Sequence, residues 1–233
     1  MISPATEDAS RVDGRRSAAA ARRRQRERAI LDATRALFDQ RGVRDAQIED
    51  IAQAVGINRA IVYRHFTGKE ELFALTLVSY LDELRGLLTQ SVAGLDGAED
   101  RLRAGVSAFV DYGLDHPAFV DCAQALMRRT GPELLEEINE GAMFRLGRAI
   151  SGCLSVVADV LDEGIASGDF HVDDTTLLAN QLYASGLGSL QLARVGMLVS
   201  EAAPGIPRIH RVSGEQVKTY LVTSALALAH QGI

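Results

Sequence analysis

The sequence has little of what metal, disulfide or redox chemistry requires. Its 233 residues include no tryptophan, only 5% aromatic residues and two cysteines, Cys122 and Cys153, which are far apart and lack metal-ligand spacing. We expect both to be buried, reduced thiols that pack as small hydrophobes, and we favour this over a redox switch. No apolar run reaches the length of a membrane span and the N-terminus is polar, so we expect a soluble cytoplasmic protein.

Signatures of catalysis are also missing. There is no glycine-rich phosphate loop, no paired-histidine metal motif and no nucleophile elbow. The five histidines are scattered along the chain. We therefore expect a protein that is not an enzyme and needs no cofactor or metal, and a helical enzyme is the least favoured alternative.

The charge is unevenly distributed. The net charge is −6, but residues 1–72 hold 14 basic and 11 acidic residues, whereas residues 73–233 hold 11 basic and 20 acidic ones. Attraction to phosphates is local and screened by salt, so a chain that is acidic overall can still bind nucleic acid through one basic end. The N-terminal third is therefore the candidate nucleic-acid-binding region.

Residues 1–21 form an arginine-rich arm that we predict to be disordered, because it has no apolar stripe. Such an arm could follow phosphates or enter a minor groove beside the main site. It could equally be a solvated tail that raises non-specific affinity only. The sequence leaves both interpretations open.

The most informative stretch is 48–66, which predicts two short helices joined by a tight turn. Apolar residues recur at helical spacing in the first helix, and Gly56 supplies the positive φ that a sharp turn needs. Asn58 is a suitable N-cap for the second helix. If Val62 and Phe66 pack inward, then arginine and tyrosine side chains face solvent, as a major-groove reader requires.

Residues 26–75 resemble the tetracycline-repressor (TetR) family of bacterial transcriptional regulators. The positions that carry the resemblance are Ile30, Ala33, Leu37, Phe38, Gly42, the run IEDIAQAVGIN, Tyr63, His65, Phe66 and Lys69–Leu72. It implies that Tyr63, His65 and Lys69 contact the DNA backbone and that Arg59 and Ala60 approach base edges, with Arg64 reaching either. The predicted DNA-binding residues are Asn58, Arg59, Ala60, Ile61, Tyr63, Arg64, His65 and Lys69.

Three departures from the family pattern affect these contacts. Ala46 and Gln47 stand where relatives usually have Thr or Ser, and Ile61 replaces a residue that is often Thr. Each change removes a hydrogen bond to the backbone of the DNA or to a helix end. Glu49 and Asp50 suit the positive end of their helix but would repel phosphates if they faced the groove. Binding is therefore expected to depend more on Arg59, Arg64 and the arm.

The remaining pattern is helical throughout, so the predicted class is all-α. We expect a helix-turn-helix domain over 22–72, in which Thr67 and Glu70 form a capping box at the start of a long helix. A helical effector-binding and dimerisation domain is expected over 73–233. Within it we predict one long helix over about 133–167, a helical segment over 174–198, a Pro/Gly loop over 203–214 and a last helix to 230.

Segment 174–198 is rich in small residues, which favours close approach between helices. In proteins that this chain resembles, the last two helices form a dimer interface, so we expect a homodimer through 174–198 and 214–230; intrachain packing is the alternative. The resemblance also implies an effector pocket in this half. Its possible residues, each of which could instead be plain core, are Phe109, Tyr112, Met127, Phe144, Arg148 and Tyr183.

These observations predict a sequence-specific DNA-binding transcriptional regulator. The expected form is a homodimeric repressor that a small-molecule effector of unknown identity releases from a palindromic double-stranded operator. The alternative is a non-specific, architectural DNA-binding protein. Raised salt would separate the two, because a purely electrostatic binder loses affinity on all sequences alike.

Overall fold

The computed structural model describes the backbone of residues 4–231 and the side chains of residues 17–231. In this part of the chain, ten helices are joined by short connections and one β-hairpin. The helices are α1 (Pro4–Arg41), α2 (Ile48–Val55), α3 (Arg59–His65), α4 (Lys69–Val92), α5 (Ala98–Asp115), α6 (Pro117–Met127), α7 (Gly131–Glu137), α8 (Glu140–Ser167), α9 (Thr175–Val195) and α10 (Gly214–Gln231). The all-α prediction is confirmed, with the hairpin as a small addition.

Helix α1 begins much earlier than the sequence suggested. It runs back to Pro4, through most of the segment predicted to be a disordered arm, while residues 1–3 of that arm lie outside the described residues. Alanine and arginine are good helix formers, and Ala18–Arg24 contains nothing else. The helical propensity of these residues extends α1 beyond its buried part, although the added turns have no apolar stripe to pack.

The first three helices pack around one apolar centre. Ile30 and Phe38 of α1, Ile51 of α2 and Val62 of α3 are all almost fully buried. Helix α4 leaves this centre and carries buried leucines along its length to a second set of helices. There α4 packs against α5 and α8, α5 against α10, and α8 against α9. One long helix therefore belongs to both parts of the molecule.

The predicted helix over 133–167 is divided into α7 and α8. Ile138, between them, is buried, and the Asn139 side chain caps α8 by accepting from the Ala142 N–H at 2.9 Å. A side chain that competes for backbone donors in this way favours a helix start over a helix interior. The capping box predicted for Thr67 and Glu70 also differs, because Thr67 bonds to Glu71 instead.

A β-hairpin occupies the end of the predicted segment 174–198 and most of the predicted loop 203–214. Its strands β1 (Met197–Ala203) and β2 (Ile206–Arg211) pair antiparallel, with Val199 opposite Ile209. Both strands are exposed along their whole length. The β-branched residues of the two strands favour extended backbone. Of the Pro and Gly residues that suggested a loop, Pro204 and Gly205 form the turn and Pro207 lies within β2.

Candidate nucleic-acid interface and internal cavity

The turn between α2 and α3 has the predicted geometry. Gly56 takes φ +68° and ends α2, and the Ile57 N–H donates to the Ala52 carbonyl at 2.9 Å. Asn58 then caps α3, its side-chain oxygen accepting from the Ile61 N–H at 3.0 Å. Because both ends of the turn are satisfied by hydrogen bonds, α3 is held in one orientation.

Helix α3 presents a polar face to solvent. Val62 and the following Phe66 are buried, with 1% and 2% of their surfaces exposed. Other predicted contact residues point outward: Asn58, Arg59, Ala60, Tyr63, Arg64 and Lys69 are exposed, and Ile61 and His65 are half-buried. Seven of the eight predicted residues lie in α3 or at its N-cap, and Lys69 lies at the start of α4.

Arg59 makes a contact that the sequence did not indicate. Its guanidinium donates to the Glu49 carboxylate at 2.7 Å and lies 5.3 Å from the centre of the Tyr63 ring. The Tyr63 hydroxyl and the Glu49 charge raise the pKa of Arg59 above its ordinary value. Glu49 therefore lies beside Arg59 on the α3 surface, where its carboxylate competes with any anionic partner for the guanidinium group.

Two arginines of α1, Arg23 and Arg26, lie near His65 at the end of α3. Arg22, Arg24 and Arg28 of the same helix are also exposed. Burial and then the positive charge of Arg23 lower the pKa of His65, so its ring is largely neutral at pH 7. A neutral His65 can still donate one N–H bond to a phosphate. Helix α1 thereby adds positive charge next to the end of α3.

Three side chains hold the start of α4 to the start of α8, and we call them the Glu71 clamp. Glu71 is 2% exposed and accepts from the N–H and hydroxyl of Thr67 through one carboxylate oxygen. Its other oxygen accepts from the side-chain amide of Asn139. Since Asn139 also caps α8, the clamp fixes the helix that follows the α3 surface to the second part of the molecule.

A second polar group, the Arg35 network, joins α1 to α4 and α5. Its members are Arg35, Asp39, Tyr80, Glu83 and Tyr112. Arg35 pairs with Glu83 and lies 4.2 Å from the centre of the Tyr80 ring, whose hydroxyl donates to Asp39 at 2.7 Å. The Tyr112 hydroxyl lies 3.1 Å from both the Glu83 carboxylate and the Tyr80 carbonyl.

An internal cavity lies beyond this network, between α4, α5, α8, α9 and α10. Its volume is about 50 Å³, and it is partly open to solvent. Its wall is formed by Leu84, Leu88, Gly105, Val106, Phe109, Cys153, Leu154, Val157, Ala179, Leu182, Tyr183, Gly186 and Leu221. Most of these residues are aliphatic, a type that sequence reasoning cannot separate from ordinary core.

The six predicted pocket residues do not all lie at this cavity. Phe109 and Tyr183 are on the cavity wall. Tyr112 is buried in the Arg35 network instead, while Met127 and Phe144 are 54% and 72% exposed and Arg148 also faces solvent. An aromatic or long side chain on an amphipathic helix does not reveal which neighbour its face will meet, and this explains why four of the six lie away from the cavity.

Both cysteines are buried, unpaired thiols. Burial raises the pKa of Cys122 well above its ordinary value and that of Cys153 to about 12. A protonated, buried thiol is a poor nucleophile and metal ligand. Across residues 17–231, no cluster of three or more metal-binding side chains occurs, and no helix of the described chain is long and apolar enough to cross a membrane.

Fold and surface together define a class: helical DNA-binding regulators in which a helix-turn-helix is attached to a larger helical half. The model of bacterial regulatory proteins of the tetR family matches residues 30–75. The chain is 28% identical over 180 residues to the HTH-type transcriptional repressor KstR2 of Rhodococcus jostii, covering 77% of this chain and 79% of the relative. The chain therefore carries a TetR-family DNA-binding domain, and its homologues are named transcriptional repressors and regulators.

Solved structures show the same fold. RolR in complex with resorcinol superimposes with a TM-score of 0.66 at 16% identity, covering 91% of this chain and 90% of that one. FadR from Bacillus subtilis in complex with stearoyl-CoA gives 0.59 at 17% identity, covering 88% and 98%. Each likeness extends well beyond the helix-turn-helix into the second half of the chain.

Proposed function

We propose that this protein is a homodimeric repressor that binds a palindromic operator through α3 and releases it when a small molecule occupies the cavity. The observation that carries the proposal is the capped α3, which presents Arg59, Tyr63 and Arg64 to solvent beside the arginines of α1. A short helix held at both ends and exposing arginines suits the major groove. We further propose the division into a DNA-binding domain over 22–72 and an effector-binding and dimerisation domain over 73–233.

In this proposal Arg59 reads a base edge, Ala60 contacts a thymine methyl, and Tyr63, His65 and Lys69 position the helix on phosphates. Arg59 can give guanine a bidentate contact, whereas hydrogen bonds to phosphate carry no sequence information. Arg64 lies on the same face and serves either role. Asn58 and Ile61 shape the helix start rather than donate to DNA from their side chains.

Dimerisation is proposed through α9 and α10. The exposed face of α9 carries Leu177, Gln181, Ser185, Gly188, Leu192 and Val195, and that of α10 carries Gln216, Tyr220, Thr223 and Ala227. Leu177 and Tyr220 are 65% and 72% exposed. Charged residues on these helices are few: Arg194 lies near the end of α9, and Glu215 and Lys218 lie near the start of α10. Helical faces with few charges, small residues and large exposed apolar side chains suit a helix-to-helix interface.

A contact route joins the cavity to the α1–α3 region. Phe109 on the cavity wall packs edge-to-face on Phe119, with ring centres 6.3 Å apart, and Phe119 packs on Tyr112 at 5.5 Å. Tyr112 belongs to the Arg35 network, which reaches α1. A ligand that displaces Phe109 therefore changes the packing beneath α1, and it favours one state only by its differential affinity for the two. RolR bound to resorcinol and FadR bound to stearoyl-CoA have the same fold, and this supports a small-molecule ligand for this chain.

Fluorescence anisotropy on an operator selected from random duplexes, and on its scrambled version, tests the DNA assignment. Arg59→Ala should lose about 1–3 kcal/mol of binding free energy on the operator and little on the scrambled duplex, because a contact to a base is lost. Lys69→Ala should weaken both duplexes alike. Arg103→Ala, whose side chain pairs with Glu99 on α5, is the matched control. If Arg59→Ala and Tyr63→Ala both bind like the wild type, the assignment of DNA-contact residues is wrong. If added salt reduces the affinity for both duplexes equally, the architectural alternative is favoured.

A further inference from the structure

The cavity wall has an unusual composition for a ligand site. Among the thirteen residues that form it there is no aspartate, glutamate, lysine, arginine or histidine. The only polar side-chain groups on the wall are the Tyr183 hydroxyl and the Cys153 thiol. The thiol is already engaged, since the Cys153 sulfur donates to the Leu81 carbonyl at 3.2 Å. One hydroxyl is therefore left to contact a ligand.

Tyr183 has no hydrogen-bond partner among the residues that the structure describes. Its ring packs edge-to-face on Phe109, with ring centres 6.1 Å apart, and burial raises the pKa of its hydroxyl well above the ordinary value. Tyr183 is half-buried, so water can reach its hydroxyl in the unliganded protein. An oxygen atom of a ligand would replace that water as the hydrogen-bond partner.

A charged ligand does not suit this wall. Transfer of a carboxylate or an ammonium group into apolar surroundings is costly unless an opposite charge or several hydrogen bonds compensate it. The wall offers one hydroxyl and no charge. We propose that the cavity binds an uncharged, mainly apolar molecule with a single hydroxyl or carbonyl oxygen, which pairs with Tyr183. The assignment of this molecule as the effector rests on the proposed function, whereas its chemistry rests on the wall alone.

Gly186 sets the space available to that molecule. A Cβ atom at this position would lie 2.6 Å from the Phe109 ring, so the ring can occupy its place only because residue 186 is glycine. In Gly186→Ala the ring must move away from α9, and the room it moves into is the cavity that both residues line. Gly147→Ala is the matched control on the surface of α8, because its added Cβ meets nothing within 4 Å.

The test is calorimetric titration of the full-length protein, without DNA, with three molecules of one shape: para-butylphenol, butylbenzene and para-butylbenzoate at pH 8. We expect para-butylphenol to bind roughly tenfold tighter than butylbenzene, the value of one hydrogen bond. The benzoate should bind weaker than the phenol by on the order of a hundredfold, because its charge is unpaired. Gly186→Ala should weaken the phenol roughly tenfold through overpacking, whereas Gly147→Ala should not.

Tyr183→Phe keeps the shape of the wall and removes only the hydroxyl, so circular dichroism should show an unchanged fold. It should abolish the advantage of para-butylphenol over butylbenzene. The proposal is overturned if the benzoate binds as tightly as the phenol, if Tyr183→Phe preserves the difference between phenol and butylbenzene, or if none of the three binds. Because these titrations contain no DNA, they stand or fall separately from operator binding.

Discussion

The cavity wall and the two polar groups that join the halves of the molecule are built from opposite kinds of side chains. The wall has one unpaired hydroxyl among aliphatic residues, whereas the Glu71 clamp and the Arg35 network consist of charged or hydrogen-bonding groups. Apolar packing is non-directional, so a wall of this kind can adapt to a ligand. Hydrogen bonds are directional, and a network of them is either made or broken. In the proposed function, the adaptable cavity wall would bind the ligand, and the polar groups would change between two arrangements in response.

Among the predicted effects on stability, the largest is expected at Glu71, in the polar region. In Glu71→Ala the Thr67 and Asn139 donors lose their acceptor; because both residues are exposed and water can replace part of the loss, we expect the free energy of unfolding to fall by about 2 kcal/mol. Urea denaturation measures this loss. Glu71→Gln, which keeps one acceptor oxygen, should cost less. A loss below about 1 kcal/mol in the alanine variant would show that the clamp does not hold α4 to α8.

The same substitution, tyrosine to phenylalanine, can be made in the Arg35 network and on the cavity wall, and its effects on stability can be compared. Tyr112→Phe removes the single O–H donor that the Glu83 carboxylate and the Tyr80 carbonyl share, and should lower the free energy of unfolding by about 1–2 kcal/mol. Tyr183→Phe removes a hydroxyl with no partner in the described chain and should change it by less than about 0.5 kcal/mol. Equal losses in the two variants would mean that the cavity wall is as polar as the Arg35 network.

Acid should weaken the polar region selectively. Burial acts to raise the pKa of Glu83, but the hydrogen bond and charge of Arg35 outweigh it, so this pKa lies below its ordinary value. A depressed pKa stabilises the fold above the unfolded value of about 4.3, and the stabilisation is lost as pH falls through the folded pKa. Because the Glu83 side chain is 44% exposed, we expect about 1 kcal/mol or less.

Thermal unfolding between pH 6 and pH 3 measures this contribution. The wild type should lose more stability over that range than Glu83→Gln, which has no carboxyl group to protonate at this position. Parallel curves for the two proteins would contradict a stabilising Arg35–Glu83 pair.

The helix-turn-helix could be predicted because its signals are local. Gly56 and Asn58 determine the turn through their own backbone and side-chain chemistry, and Val62 and Phe66 repeat at helical spacing. The contact between Arg59 and Glu49 was not predictable, since ten positions separate the two residues and only the packed helices bring them together. Which of the exposed residues contact DNA stays a prediction.

The cavity was predictable only in part. Phe109 and Tyr183 were expected there, whereas Phe144 and Met127 face solvent because the orientation of each helix depends on its neighbours. The hairpin at β1 and β2 was missed because its turn residues Pro204 and Gly205 suggested a loop. Pairing between strands is a tertiary contact that composition does not reveal.

The most direct test is whether a ligand in the cavity changes how α3 binds DNA. Operator affinity is measured by anisotropy with and without saturating para-butylphenol, in the wild type and in Gly186→Ala. Coupling between two such sites is typically about 1–3 kcal/mol, so the wild type should lose roughly tenfold in operator affinity and Gly186→Ala, in which the phenol binds poorly, much less. Unchanged operator affinity in the wild type, with the phenol shown to be bound, would contradict control of the DNA-binding half by the cavity.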